Sequence, residues 1–387
     1  MIGRKAAVPS PGEIPLAAST TRRKQDHLTI NLEQDVSARE LTTGFERLRF
    51  VHVALPELDY DAIDLRTEFL GKPLNVPILI SSMTGGTEQG WIIIRRLAKA
   101  AQAIGCAMGV GSQRIAIEDP AAARWFELRD VAPSIPLYAN LGAVQLNYGF
   151  GRDECQRAVD MIEADALILH LNPLQEALQP EGNRNFSSLL NKIERICAEL
   201  PVPVIVKEVG NGISAGVARQ LASAGVAAID VSGAGGTSWS AVEHHRAPNG
   251  VLRRLSESFI DWGIPTVQSI RLARQGAPRL PLIASGGLRT GIDAAKAIAL
   301  GADLAGFAGP LLRAAAASED AVLDAMRVLI EELRVTLFCT GCGTLADLRA
   351  ASLVDGDGAV FERETRQSPV ACASGWDPGN GYDDPLA

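Results

Sequence analysis

From residue 74 onward the chain repeats one texture. A short β-branched or aliphatic run breaks at Gly, Ser, Asn or a charged residue, and an Ala-rich helical stretch usually follows. Eight runs can be read, at 76–82 (VPILISS), 106–111 (CAMGVG), 136–141 (PLYANL), 166–171 (ALILHL), 202–207 (VPVIVK), 227–232 (AAIDVS), 281–285 (PLIAS) and 303–307 (DLAGF). Helical periodicity lies between them, for example over 90–104, 186–200, 215–224 and 291–300. Strands alternating with helices require right-handed crossovers and a parallel sheet. Strands this uniformly apolar fit a sheet covered on both faces. Eight units over roughly 260 residues predict an α/β fold of the closed (β/α)8 TIM-barrel type. A doubly wound open sheet stays as the alternative, because spacing does not determine strand order.

The same pass divides the chain. Residues 1–70, with weak periodicity, prolines and many charges, read as an N-terminal arm with one or two short helices. Residues 71–345 read as the barrel, with an insertion in 233–281 after the sixth strand and a single long terminal helix over 311–338 as a helical extension. Residues 346–387 read as a C-terminal tail, loose after about 355.

Composition excludes several function classes. A net charge of −8 argues against nucleic-acid binding by a basic face. At 5% aromatic residues there are few platforms for stacking bases. No run reaches the ~18 apolar residues of a membrane span, and no secretory h-region is visible, so a cytoplasmic protein is expected. The six cysteines (106, 155, 197, 339, 342 and 372) are scattered and read as reduced thiols. Cys339 and Cys342 form a lone Cys-x-x-Cys without the second pair a zinc site needs.

In a barrel the strand C-termini make the active face. Those edges read MTGG (83–86), GSQR (111–114), NLGA (140–143), HLNPLQE (170–176), KEVGNG (207–212), SGAGGTSW (232–239), SGGLRTG (285–291) and FAGP (307–310). Polar and glycine residues thus gather on one edge, which points to one large ligand site. The glycine turns after strands seven and eight suit a phosphate, since barrels place phosphates there on exposed N–H groups. Lys207 ends an apolar strand and needs an anionic or electron-rich partner; an ion pair with Glu208 is the simpler reading. His170 and Asn172 share a strand face. Glu176 is the only carboxylate of its motif, and one carboxylate plus phosphate oxygens commonly holds Mg²⁺. In the arm, Arg22-Arg23-Lys24 precede Asp26-His27 and suit an anion. No Walker loop, and no nucleophile triad order, is present.

RKQDH, MTGG, GSQR, NLGA, HLNPLQE, VKEVGNGIS, DVSGAGGTSW and SGGLRTG occur in the order of the type 2, FMN-dependent isopentenyl-diphosphate isomerases, and the chain resembles that family from about residue 22 to 345. The resemblance implies a TIM barrel in a homo-oligomer, a tetramer or octamer. It also implies interconversion of isopentenyl and dimethylallyl diphosphate with reduced FMN, Mg²⁺ and NADPH. Carried over by position, it places FMN contacts at Met83, Thr84, Gly85, Ser112, Asn140, Lys207, Ser232, Thr237, Gly287, Leu288, Arg289, Ala308 and Gly309. Substrate contacts fall on Arg23, Lys24, Ser112, Gln113, Arg114 and Gln175, the metal on Glu176, and catalytic assistance on His170, Gln175 and Lys207. An FMN-dependent 2-hydroxy acid oxidoreductase on the same barrel is the alternative, and a non-catalytic flavin protein the third reading.

Overall fold

The computed structural model describes residues 16–356, with side chains described from Thr21 onward. Its centre is a ring of eight parallel strands: β1 (Ile78–Ile80), β2 (Ala107–Gly109), β3 (Leu137–Gly142), β4 (Ala166–Leu171), β5 (Val204–Glu208), β6 (Ala228–Asp230), β7 (Leu282–Ala284) and β8 (Leu304–Phe307). Each strand pairs with its sequence neighbours, and β8 closes on β1 with Phe307 opposite Ile80. That closure makes the sheet a TIM barrel and removes the open-sheet alternative.

The barrel interior is packed, as its apolar strands require. Leu79, Tyr138, Ile168, Ile205, Ile283 and Leu304 fill a layer with the small Ala107, Ala166 and Ala228 between them. A hairpin just before the barrel, Thr67–Phe69 paired with Lys72–Leu74, adds Phe69 and Leu74 to this layer. These two side chains plug the end of the barrel opposite the polar strand edges.

Helices follow the strands outside: α1 (Leu16–Glu33) before the barrel, then α2 (Glu88–Ile104), α3 (Arg114–Glu118), α4 (Arg152–Met161), α5 (Pro173–Leu178), α6 (Leu189–Glu199) and α7 (Ala215–Ser223). The expected insertion after β6 is present as α8 (Trp239–Arg246) and α9 (Gly250–Glu257), ahead of the crossover helix α10 (Thr266–Gly276). Then come α11 (Gly291–Ala299), α12 (Gly309–Ala317), α13 (Glu319–Cys339) and α14 (Leu345–Ala350).

Two local expectations are corrected. Among the described residues the arm holds one α-helix of 18 residues, α1, longer than expected, besides two single-turn 3-10 helices at Phe45–Arg47 and Tyr60–Ala62. Its weak periodicity has a cause in the packing: α1 lies against α3, α8 and α12 and meets neighbours on several sides. The long helix expected over 311–338 is two helices, broken at Ser318. That residue is extended (φ −160°), and its hydroxyl accepts the Ala321 N–H. Glu319 and Asp320 then sit in the first turn of α13, where the helix dipole favours negative charge.

Residues just beyond 345 are built into the body. Leu348 and Leu353 are buried, and Leu353–Val354 pair antiparallel with Arg49–Phe50, joining the arm to the end of the described chain. The expected loose stretch from 357, with Cys372, lies outside the described residues. Cys339 closes α13 and Cys342 is buried just after it, its thiol donating to the Thr340 carbonyl.

Candidate active site

The polar strand edges converge on one cavity of about 680 Å³ at the C-terminal end of the barrel. That size suits a cofactor or small ligand, whose pockets run from about 300 to 1,000 Å³. Of the site residues singled out in the sequence, all but Gly85 and Gln113 line it. Strand direction is the reason: parallel strands deliver every C-terminal edge to the same face. Gln113 is corrected as a substrate contact. Its Nε2 donates to the Ala158 carbonyl at 2.8 Å and its Oε1 accepts the Asn140 N–H at 2.9 Å, so it is consumed in the wall. Gly85 also lies behind the lining, its carbonyl accepting from Lys24.

The turns after β6 and β7 touch each other. A Cβ on Gly236 would stand 2.6 Å from Gly287 Cα, and Gly287 has φ +74°, so glycine is needed on both sides. Arg289 follows in the β7 turn, and Gly309 opens α12 after β8. This is a cradle of backbone N–H groups beside an arginine, which suits a phosphate.

On the floor, His170 Nδ1 lies 2.8 Å from Asn140 Oδ1. Burial, then Lys207, Lys24 and Arg23, push the His170 pKa down to about 3, so the imidazole is neutral near pH 7. With Asn140 Oδ1 as acceptor, the ring proton sits on Nδ1 and Nε2 is an acceptor. Lys207 is buried and its Nζ donates to the backbone carbonyl of Glu208 at 2.6 Å. The alternative of an ion pair with the Glu208 carboxylate is therefore not realised as a direct contact. That carboxylate accepts the N–H groups of Val209, Gly210 and Asn211 instead, and burial pushes its pKa up to about 7.

From the arm, α1 carries two cations to the rim. Lys24 Nζ donates to the carbonyls of Gly85 and Ser112, each at 2.7 Å, and stands 5.4 Å from the centre of the Phe126 ring. Burial, then Arg23, lower its pKa to about 7. Burial and Arg114 lower that of Arg23. The helix is pinned by a network that sequence reasoning missed. His27 Nε2 lies 3.0 Å from Glu243 Oε1; Arg246 bonds Glu243 and Glu181 at 2.7 Å each, and reaches Asp26 at 3.7 Å. Against the cost of burial, His27 and Arg246 hold the Glu243 carboxyl below its ordinary value. Glu243 and Arg246 are three apart on α8 and look like an ordinary surface pair in sequence.

Glu176, on α5, is also buried. Its Oε1 accepts from Asn172 Nδ2 at 3.0 Å, and its Oε2 from Gln179 Nε2 at 2.8 Å and from the Asn183 N–H. Asn172 Oδ1 and Gln179 Oε1 are enclosed without a partner. A carboxylate flanked by two amide oxygens with unused lone pairs is a hard-oxygen set suited to Mg²⁺. Gln179 was missed in the sequence, though its spacing of three from Glu176 was a usable helical signal.

Comparison with known proteins decides among the readings of such a site. The FMN-dependent dehydrogenase family model matches residues 17–132 and 168–355. A protein of Nostoc sp. named isopentenyl-diphosphate delta-isomerase is 59% identical over 333 residues, 86% of this chain and 95% of that one. Proteins of the same name from Synechococcus sp. and Rickettsia felis are 58% and 54% identical, over 87% and 86% of this chain and 97% and 96% of theirs. The chain belongs to the isopentenyl-diphosphate delta-isomerases. They fall here within the wider FMN-dependent family, whose barrel two solved structures share. A mandelate oxidase with an FMN adduct has a TM-score of 0.62 at 19% identity, covering 88% of this chain and 99% of its own. Another, with (S)-2-phenylpropionate, has a TM-score of 0.61 at 19% identity, covering 88% and 98%. At that identity the likeness is one of fold.

FMN is the cofactor of the family, and the site fits it. The Gly236–Gly287 cradle with Arg289 suits its phosphate, and Lys207 is the buried cation available to its ring. Among the described residues no helix is long and apolar enough to cross a membrane.

Proposed function

We propose that the chain interconverts isopentenyl and dimethylallyl diphosphate by a 1,3-proton shift, with reduced FMN in the cavity, Mg²⁺ at Glu176 and NADPH as the source of electrons. One observation carries this reading beyond the family name. Among the described residues Glu176 is the only carboxylate that lines the cavity, and the lining histidines, His170 and His27, are both partly buried with pKa values lowered by desolvation. An isolated alkene is a weak base, so its protonation needs a strong acid in a water-poor site. Glu176 is committed to its amide partners, and His170 is neutral near pH 7. When bound, the reduced flavin supplies the proton donor and acceptor that the side chains lack.

The side chains then divide the remaining work. Arg23, Lys24 and Arg114 gather positive charge where α1 meets the rim, the place for a diphosphate. Ser112 lies in the same wall. Glu176, with the free oxygens of Asn172 and Gln179, holds the metal against the diphosphate. Gln175, whose Oε1 accepts from Asn172 at 3.1 Å, and neutral His170 orient the alkene end. Lys207 stabilises negative charge on the ring by Coulomb attraction at low local dielectric. The remaining FMN contacts are backbone and side-chain groups of Met83, Thr84, Asn140, Ser232, Thr237, Leu288 and Ala308, which line the same cavity. The assembly belonging to this reading is a homo-oligomer in the cytoplasm. The exposed Val251, Leu255 and Trp262, on and after α9, offer apolar surface for it to cover.

A depressed His170 also disfavours the hydroxy-acid alternative, which needs an imidazole basic enough to take a proton near pH 7. Anaerobic turnover separates the two. NADPH consumed should be stoichiometric with enzyme and not with dimethylallyl diphosphate formed, dithionite should replace it, and air should stop the reaction. One NADPH per product would refute the isomerase reading.

A further inference from the structure

Beneath the cavity floor, β5, β6 and β7 place three polar side chains together. Lys207 stands in register opposite Asp230, and Asp230 Oδ1 accepts the Ser285 hydroxyl at 2.6 Å and the Ser232 N–H at 3.2 Å. Lys207 and Ser285 line the cavity; Asp230 does not, and is 1% exposed. Its second oxygen, Oδ2, is enclosed without a hydrogen-bond partner. A buried carboxylate with one empty oxygen is costly unless a cation faces it.

The other groups around Lys207 do not balance it as well. The Glu208 carboxylate is turned into three backbone N–H groups of its own turn. His170, in register with Lys207 on the other side, is bonded to Asn140 and neutral. Asp230 is the acid left on the floor: burial raises its pKa, and Lys207, then the Ser285 and Ser232 hydrogen bonds, oppose that rise by favouring the charged form.

We propose that Asp230 is a positioning residue: the fixed counter-charge beneath Lys207 that holds its ammonium at the cavity floor and limits the positive field Lys207 exerts on a flavin bound above. This rests on the FMN reading of the site. A merely structural role, bonding Ser285 and Ser232, would be filled equally by a neutral amide of the same shape.

The test is the midpoint potential of FMN bound to the holoenzyme, compared between wild type and Asp230→Asn at pH 7. Removing the negative charge leaves Lys207 less screened and favours anionic reduced FMN. Its binding preference over oxidised FMN should rise at least tenfold, which is ~30 mV for a two-electron couple. In a Lys207→Met background, Asp230 loses its cation and takes up a proton, so adding Asp230→Asn there should change the preference less than twofold. A large shift in wild type and a small one in Lys207→Met support the pairing. No shift in wild type, a fall in potential, or equal shifts in both backgrounds overturn it.

Should Asp230→Asn alone fail to hold FMN, the double variant decides. Recovery of folding and FMN binding on adding Lys207→Met supports a charge pair, and failure of both variants overturns it. Absence of FMN from wild-type protein after reconstitution would instead refute the reading of the site, which keeps the two failures distinct.

Discussion

Lys24 should take up a proton when the diphosphate binds. Its Nζ is held by two carbonyls in the wall, and burial, then Arg23, bring its pKa from the ordinary 10.5 to about 7. A phosphate oxygen about 4 Å away, at an effective dielectric near 20, contributes ~4 kcal/mol. At 1.36 kcal/mol per unit that is about three pKa units, enough to return Lys24 to its ordinary range. At pH 8 a group of pKa 7 is about one-tenth protonated, so binding should take up about 0.9 proton. The sign follows: the complex holds more protons than the free enzyme, so affinity falls as pH rises. Between the depressed and the restored pKa the fall approaches tenfold per unit, and below pH 7 it vanishes, because Lys24 is then protonated in both states. Calorimetric titration of the Mg²⁺-loaded holoenzyme with pyrophosphate, in two buffers of different ionisation enthalpy at pH 8, counts the protons. Lys24→Arg keeps the cation but cannot deprotonate, so it corrects for the ligand's own ionisation. Equal proton numbers for wild type and Lys24→Arg would refute the argument.

Other predictions concern the metal, the arm and the phosphate cradle. Glu176→Gln keeps the hydrogen-bonded shape but removes the charge; turnover and Mg²⁺ dependence should be lost with the flavin spectrum unchanged, as absorbance and a metal titration would report. Arg246→Met leaves the buried Glu243 without its arginine, while the exposed Glu181 is free to solvate, and should cost about 3 kcal/mol in denaturant unfolding. It should also raise KM more than it lowers kcat, because the network holds the helix that carries Arg23 and Lys24. Gly287→Ala forces a side chain at φ +74° to within 2.6 Å of Thr43 Cγ2 and 2.8 Å of Gly236 N. It should cost about 1–3 kcal/mol and weaken FMN binding at least tenfold, measured by equilibrium fluorescence.

Much of the fold was legible because its signals are local. Eight apolar runs ending in polar turns give the barrel strands, and their shared direction brings the cavity residues together whatever the details of the loops. Helix starts were legible in principle too: Ser318 with Glu319 and Asp320 marks the break between α12 and α13, although the apolar pattern on both sides made it read as one helix. What could not be read was which side chain faces the ligand. Gln113 sits between two cavity residues, Ser112 and Arg114, yet it turns into the wall, because the Asn140 N–H and the Ala158 carbonyl beside it need a partner.

The sequence by itself determined the barrel, the face that carries the site, and the motifs that name the family. Periodicity and chain direction are properties of each βα unit alone. Only the tertiary structure decided the electrostatics. Lys207 lies opposite Asp230 rather than paired with the neighbouring Glu208 carboxylate, His27 meets Glu243 across 216 residues, and burial makes His170 neutral. Charge states depend on desolvation and on partners brought together by closure of the ring, and neither is a property of any local stretch of chain.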